Sequence, residues 1–145
     1  MSLSQQIKDY SQSIYPEIVQ HYRYLHQHPE LSYQEKNTSL YVAQFLTAEG
    51  IEHKTNIGGY GILAWIKGEK EGTGKTIAIV ADMDALPVHE ENDVEFKSVN
   101  EGVMHACGHD SHTASLMGAA KIVKHVRKEF SGTVLFVFQP GEEKA

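Results

Sequence analysis

The sequence predicts an α/β fold, in which helices flank a sheet that contains parallel strands. Two apolar, β-branched runs at 76–81 and 133–138 have the composition of strands in such a sheet. A helical pattern at 111–130 lies between them, and a strand, a helix-containing crossover and a second strand form the βαβ unit of parallel sheets. Because the run at 76–81 is continuous, we expect that strand to be covered on both faces.

The first half of the chain predicts two helices followed by two strands. Apolar residues recur at three- and four-residue steps from Ile7 to Leu25, and Pro16 within this stripe predicts either a kink or the start of another helix. Three further elements precede the βαβ unit. They are a helix at 37–49 and strand-like runs at 51–56 and 61–67.

The size and charge of the chain exclude several classes of protein. A chain of 145 residues, 41% of them hydrophobic, is long enough for one domain with its own core. With 13 Lys and Arg against 19 Asp and Glu, the net charge of −6 argues against partners such as nucleic acid or anionic membranes. No apolar run reaches the roughly 18 residues of a membrane span. The single cysteine, Cys107, and a start without signal-peptide features lead us to expect a cytoplasmic protein.

Three groups of polar residues are predicted to converge at one edge of the sheet. Asp82 and Asp84 follow the strand at 76–81, and Glu142 and Glu143 follow the strand at 133–138. A third group, His105, Cys107, His109, Asp110 and His112, lies at the start of the helix at 111–130. Carboxyl ends of parallel strands and amino ends of the helices that follow them share one edge, where ligands bind.

These residue types indicate a metal site. Sulfur, nitrogen and oxygen donors together suit zinc, and they also allow manganese or cobalt. Cys107 and His109 are separated by one glycine, so both donors can turn to one side, and a nearby cation would keep the thiol deprotonated. Of two adjacent glutamates, one can bind metal while the other takes a proton from water.

Other interpretations of the same residues remain open. Cys107 could be a small buried apolar residue, or it could form a nucleophilic pair with His109. The two aspartates could be turn formers and the two glutamates an exposed acidic end. We expect His105 and His112 to support the ligands or to be structural rather than to bind metal themselves. The sequence from His89 to Asp93 starts like a zinc-binding helix but lacks the second histidine.

The sequence resembles the amino-terminal part of the M20 metallopeptidase family, in its amidohydrolase branch. Four motifs carry the resemblance: LHQHPELS at 25–32, ADMDALP at 81–87, MHACGHD at 104–110 and FQPGEE at 138–143. The resemblance implies a zinc-exopeptidase-like (phosphorylase/hydrolase-like) α/β catalytic domain with flanking helices, interrupted by a smaller lid domain. Residues 1–145 would be the amino-terminal part of that catalytic domain, without the lid (dimerisation) domain and the rest of the catalytic domain.

The resemblance also implies roles for individual residues. Cys107 would bridge two metal ions, His109 and Glu143 would be further ligands, and Glu142 would be the general base. Asp82 would lie outside the ligand set, because its position is a ligand histidine in sister peptidases. Asp84 and Asp110 are candidates for supporting the ligands.

The implied activity is metal-dependent hydrolysis of N-acyl amino acids. A complete site would hold two divalent ions, zinc or manganese, with cobalt or nickel as alternatives. An aminoacylase or deacetylase of this kind acts on acetyl, benzoyl or similar amides and releases a carboxylate and a free amino acid. The full-length form is expected to be a homodimer or larger, with no nucleic-acid or membrane partner.

The chain alone is expected to have little or no activity. Cys107, His109 and Glu143 are too few to hold two ions, since each catalytic metal needs about three protein ligands. The sequence stops just beyond the strand at 133–138, which predicts a part of a longer chain. A non-catalytic metal- or partner-binding remnant is the alternative function, and a cysteine-nucleophile hydrolase is a third.

Overall fold

The computed structural model describes residues 1–144 and confirms the predicted α/β class. Its helices are α1 (Leu3–Gln27), α2 (Lys36–Ala48) and α3 (His109–His125). Its strands are β1 (Glu52–Ile57), β2 (Gly61–Lys67), β3 (Thr76–Asp82) and β4 (Thr133–Gln139). Short 3-10 turns follow α3 at Arg127–Glu129 and β4 at Glu142–Lys144. The helix predicted at 111–130 corresponds to α3 and the turn that follows it.

The four strands form one mixed sheet in the order β1-β2-β4-β3. β3 and β4 are parallel, with Ile79 opposite Phe136, and α3 lies in the connection between them. The predicted βαβ unit is therefore confirmed. β2 pairs antiparallel with both β1 and β4, so two of the three strand pairings are antiparallel, and a short turn joins β1 to β2.

The core lies between the helices and one face of the sheet. Alternate residues of β4 are buried, and Phe136 and Phe138 are fully inaccessible. Leu46 of α2 and Met117 of α3 belong to the same core cluster and are also fully buried. Burying one such large apolar side chain stabilises the fold by about 1.5–3 kcal/mol, so this layer fixes the helices relative to the strands.

The expectation that the strand at 76–81 is covered on both faces is wrong for the described residues. β3 is the outer strand of the sheet, and Ile77, Ile79 and Val80 are 55%, 38% and 54% exposed. Among its apolar residues, Ala81 near its end is buried. An apolar run shows that a strand can be buried, but it does not show which residues pack against the faces of that strand.

α1 continues through Pro16 as one helix, so no second helix begins there. Proline lacks a backbone N–H and removes one hydrogen bond from the helix interior. α1 packs along α3, and Lys121 of α3 pairs with Glu17 at 2.8 Å, one residue beyond the proline. Between residues 1 and 144, we find no helix with the length and apolarity needed to cross a membrane.

Candidate metal centre

The end of β3 and the start of α3 are joined at one edge of the sheet. The hydroxyl of Thr113, in the first turns of α3, donates to the carbonyl of Asp82 at 2.8 Å. The next residue after β3, Met83, donates its backbone N–H to Gln139 at the end of β4, at 2.9 Å. These contacts bring together the three polar groups that the sequence predicts to converge.

His109 is the first residue of α3 and is only 3% exposed. Its Nδ1 lies 2.9 Å from the backbone carbonyl oxygen of Asp84. A carbonyl oxygen can only accept, so Nδ1 carries a proton, and in the neutral imidazole Nε2 keeps a free lone pair. Fixing the tautomer through one ring nitrogen is how proteins prepare a histidine to bind metal through the other.

Three carboxylates surround the free nitrogen of His109. Carboxylate oxygens of Asp82, Glu142 and Glu143 lie 3.9, 3.8 and 3.8 Å from Nε2, beyond hydrogen-bonding distance. Oxygen Oε1 of Glu143 is buried and has no hydrogen-bond partner among the described residues. Lone pairs that face one another in this way repel unless a cation lies between them.

Cys107 is exposed and lies beside Glu143. The hydrogen bond to the Glu143 carboxylate and the negative charge of that group raise the pKa of the Cys107 thiol. The residues of the chain alone therefore favour the thiol, and a bound cation would favour the thiolate. A raised pKa also counts against the interpretation of Cys107 as a nucleophile activated by His109.

Two sets of donor atoms meet at His109. Cys107, His109 and Glu143 offer one set, and Asp82, His109 and His112 offer the other, with the atoms of each set within 4.8 Å of one another. Both sets need the same Nε2 lone pair, so they surround a single position. Nitrogen and oxygen donors bind zinc at about 2.0–2.2 Å, so two donors of one ion lie at most about 4.4 Å apart. The distances of 3.8–3.9 Å fit that limit, and the donor set suits a divalent ion.

Asp84 supports the donors through its backbone and its side chain. It is 1% exposed, and its Oδ2 accepts from the Ser32 hydroxyl at 2.7 Å and from the backbone N–H of Glu143 at 2.9 Å. Burial alone would raise the pKa of Asp84, but these hydrogen bonds lower it overall. Asp84 is therefore held as a carboxylate that aligns Glu143, while its carbonyl aligns His109.

Comparisons with known proteins agree with this geometry. Residues 78–145 match Peptidase family M20/M25/M40. The chain is 42% identical over 139 residues to an N-acyl-L-amino acid amidohydrolase of Geobacillus stearothermophilus, covering 96% of this chain and 37% of that protein. It is 45% identical over 144 residues to thermostable carboxypeptidase 1 of Saccharolobus solfataricus, covering 99% and 36%.

Residues 78–145 belong to the M20 peptidase family. The crystal structure of the Bacillus subtilis YXEP protein, described as a dinuclear metal binding peptidase from the M20 family, superposes with a TM-score of 0.85. That protein is 44% identical to this chain, and the match covers 91% of this chain and 37% of that one. The M20 resemblance and the fold class are thus confirmed. The chain spans little more than a third of the length of these relatives.

Asp110 of the M20 chain faces away from the candidate ligands. Its Oδ2 lies 2.7 Å from Nδ1 of His26, whose Nε2 lies 2.8 Å from Glu90. All three side chains are almost fully buried. Burial alone would lower the pKa of His26, but hydrogen bonds to Glu90 and Asp110 raise it overall. An imidazolium between two carboxylates therefore ties α1 to the start of α3.

Sequence reasoning missed two members of this buried triad. His26 lies inside a motif that carries the resemblance, but no role could be assigned to it. Glu90 follows His89 in a stretch that matches no complete metal motif. The partners are 64 and 84 residues apart in the chain, so no local spacing could reveal the pairs.

His105 differs from His109, the other histidine of the MHACGHD motif. It is 5% exposed, and both of its ring nitrogens lack hydrogen-bond partners among the described residues. Burial lowers the pKa of His105 to about 4, so the imidazole is neutral near pH 7. It belongs to neither donor set.

Proposed function

We propose that this M20 chain carries part of a metal-dependent amidohydrolase centre that hydrolyses the amide bond of N-acyl amino acids. The observation that carries the proposal is the free Nε2 of His109, directed at three carboxylates at 3.8–3.9 Å with Cys107 beside them. Such an arrangement is costly without a cation and favourable with one. The similarity to an N-acyl-L-amino acid amidohydrolase supports the choice of reaction.

We assign Cys107, His109 and Glu143 as metal ligands. Their atoms lie within 4.8 Å of one another and combine sulfur, nitrogen and oxygen donors. Zinc and manganese are the proposed ions, with cobalt and nickel as alternatives. A bound divalent ion would polarise the scissile carbonyl and lower the pKa of water to about 7.

Glu142 is the proposed general base. It lies 3.8 Å from His109 Nε2, belongs to neither donor set, and its side chain is 45% exposed, so it can reach water. Glu142 takes a proton from the attacking water as the new C–O bond forms at the carbonyl carbon. It returns that proton to the amide nitrogen as the C–N bond breaks. The products are a carboxylic acid and a free amino acid.

The names of the relatives support our choice of substrate class. One is named an N-acyl-L-amino acid amidohydrolase and another a carboxypeptidase. Both names describe cleavage of an amide whose nitrogen belongs to an amino acid. We therefore propose small N-acyl amino acids, with acetyl or benzoyl as the acyl group, as the substrates. The unpaired Cys107 fits a reducing compartment, and we propose the cytoplasm.

We propose that a complete site holds two ions and draws ligands from beyond these residues. The two donor sets of the chain share one histidine nitrogen, which can bind one ion. Residues 1–145 would form the amino-terminal part of the catalytic domain, with a lid domain that dimerises elsewhere in the full-length protein. The chain alone would then have little or no activity.

The alternative is a metal- or partner-binding remnant without catalysis. Hydrolysis of N-acetyl and N-benzoyl amino acids should be measured in a longer chain, in which this chain is followed by the part of a relative that it does not cover. We expect turnover that falls by about 10²–10⁴-fold in Glu142→Gln, with metal content unchanged. Inactivity of the longer chain with metal fully bound would refute the hydrolase proposal.

A further inference from the structure

Glu35 is a buried carboxyl group that the proposed mechanism does not use. It is 0% exposed and precedes the first residue of α2. Its Oε1 accepts a hydrogen bond of 2.7 Å from the backbone N–H of Gly141. Gly141 lies 106 residues away and directly precedes the two glutamates of the candidate centre.

The segment that contains Glu35 packs closely against this turn. Gly141 has a left-handed φ of 68°, and a Cβ at this position would collide with the ring of Tyr33. The backbone N–H of Lys144 returns to the carbonyl of Gly141 at 3.2 Å, which closes the 3-10 turn. Glycine is therefore required here both for its backbone angle and for the approach of the aromatic ring.

The same segment holds the turn at a second point. The Ser32 hydroxyl donates to Asp84 Oδ2 at 2.7 Å, and the backbone N–H of Glu143 donates to the same oxygen at 2.9 Å. Residues 32–35 thus fix the turn directly through Glu35 and indirectly through Asp84. Two anchors, one on each side of Glu142, restrict where that side chain can point.

The stability of the fold does not explain Glu35. Its second oxygen, Oε2, is buried without a hydrogen-bond partner among the described residues. Burial raises the pKa of Glu35, and backbone N–H groups offset that effect only in part. An unsatisfied buried oxygen disfavours the folded state, so stability alone does not explain a buried carboxyl group at this position.

We propose that Glu35 is a positioning residue that fixes Glu142 and Glu143 for the metal-dependent reaction. This inference rests on the proposed function, because the value of a fixed turn depends on the ligand and the base that it carries. Removing the acceptor frees the Gly141 N–H and lets the turn move. The position of the Glu143 carboxylate then spreads over more conformations, and metal binding weakens.

The test compares Glu35→Met, which keeps the volume and removes the acceptor, with Glu35→Gln, which keeps the acceptor. Glu30→Met is the matched control on the same connection between α1 and α2. The Glu30 carboxylate accepts four hydrogen bonds of 2.7–3.0 Å from Asn37 and Thr38 and caps α2 rather than the turn. Zinc affinity is measured by competition with a chromophoric chelator, and thermal unfolding is followed alongside it.

We expect Glu35→Met to bind zinc about 10–100-fold more weakly than the wild type, the usual cost of losing a residue that supports a metal ligand. Glu35→Gln should restore most of the affinity. Glu30→Met should lower the melting temperature and leave zinc affinity unchanged. Unchanged affinity in Glu35→Met, or an equal loss in Glu30→Met, would overturn the positioning role.

Hydrogen–deuterium exchange of the metal-free chain separates this inference from the proposed function. The amides of residues 141–143 should exchange faster in Glu35→Met than in Glu30→Met. If the wild type binds no zinc, the assignment of Cys107, His109 and Glu143 as a metal site of this chain fails, and exchange alone decides whether Glu35 fixes the turn. Equal exchange rates at 141–143 in the two variants would refute the inference, whether or not zinc binds.

Discussion

His109 donates through Nδ1 to the backbone carbonyl of Asp84 at 2.9 Å, and this contact joins the first residue of α3 to the segment after β3. The bond determines which ring nitrogen is free. It leaves a single lone pair, on Nε2, for the carboxylates at 3.8–3.9 Å. The chemistry that we propose at this edge of the sheet follows from that tautomer.

Asp82 should contribute to metal binding, although the resemblance to the family places it outside the ligand set. Its Oδ2 is 3.9 Å from His109 Nε2, so a cation bound to that nitrogen lies close to its charge. We expect Asp82→Asn to weaken zinc binding about tenfold, which corresponds to about 1.4 kcal/mol. Isothermal titration with zinc measures the change, with Asp93→Asn, an exposed aspartate outside both donor sets, as the charge-matched control. Equal affinities in the two variants would show that Asp82 takes no part.

Gly141 should tolerate alanine less well than another glycine with the same backbone angle. Gly102 has a φ of 72° with open space around its Cβ position, whereas a Cβ at Gly141 meets the Tyr33 ring. Left-handed backbone costs alanine about 1–2 kcal/mol at either position. The collision should cost Gly141→Ala about 1–3 kcal/mol more.

Urea unfolding of the two glycine variants measures this difference directly. Tyr33→Ala in the Gly141→Ala background should recover part of the loss, because it removes the colliding ring. If Gly102→Ala and Gly141→Ala lose the same stability, the close approach of Tyr33 to the turn is wrong.

His26 should make stability depend on pH. Its pKa is raised in the folded protein above the ordinary value of 6.5, so the folded state binds the proton more tightly. That stabilisation is fully present below pH 6.5 and is lost as the pH rises through the folded pKa. His26→Gln leaves Glu90 and Asp110 without a cation and should cost about 3–5 kcal/mol at low pH.

The cost of His26→Gln should shrink as the pH rises, and urea unfolding at a series of pH values measures it. His89 is the control, because its side chain is 58% exposed and its pair with Glu101 lies at the surface. His89→Gln should change stability by less than about 1 kcal/mol at every pH. A pH-independent cost of His26→Gln would mean that the buried triad holds no extra proton.

Cys107 should react slowly with iodoacetamide for an exposed cysteine. The Glu143 carboxylate raises the pKa of its thiol, which reduces the reactive thiolate near pH 7. Glu143→Gln should speed alkylation several-fold, while Lys144→Gln, the neighbouring change, should have little effect. Alkylation of the wild type as fast as that of Glu143→Gln would contradict the contact and would favour a nucleophilic role for Cys107.

The convergence of the polar groups could be predicted from the sequence, because it follows from the βαβ unit. Once the runs at 76–81 and 133–138 are parallel strands, Asp82 and Glu143 must share an edge with His109. The exposure of β3 could not be predicted in this way. The apolar run of β3 shows that this strand can be buried. The position of β3 as the outer strand, in contrast, depends on the order of the strands in the sheet.

The contacts that support the site cannot be predicted from the spacing of residues in the sequence. Glu35 reaches Gly141, and His26 reaches Glu90 and Asp110, through bonds that span 64 to 106 residues. None of these pairs has a characteristic local pattern. They follow from the packing of α1 and of the connection to α2 against the sheet edge, which requires the tertiary structure.

Metal content per chain tests the central claim most directly. The 145-residue chain and its Cys107→Ser variant are loaded with zinc or manganese, freed of weakly bound ions and measured by elemental analysis. We predict about one retained ion in the wild type, as the single free nitrogen of His109 requires, and a clear loss in Cys107→Ser. A wild type that retains no ion, or a variant that retains as much as the wild type, would contradict the proposed metal centre.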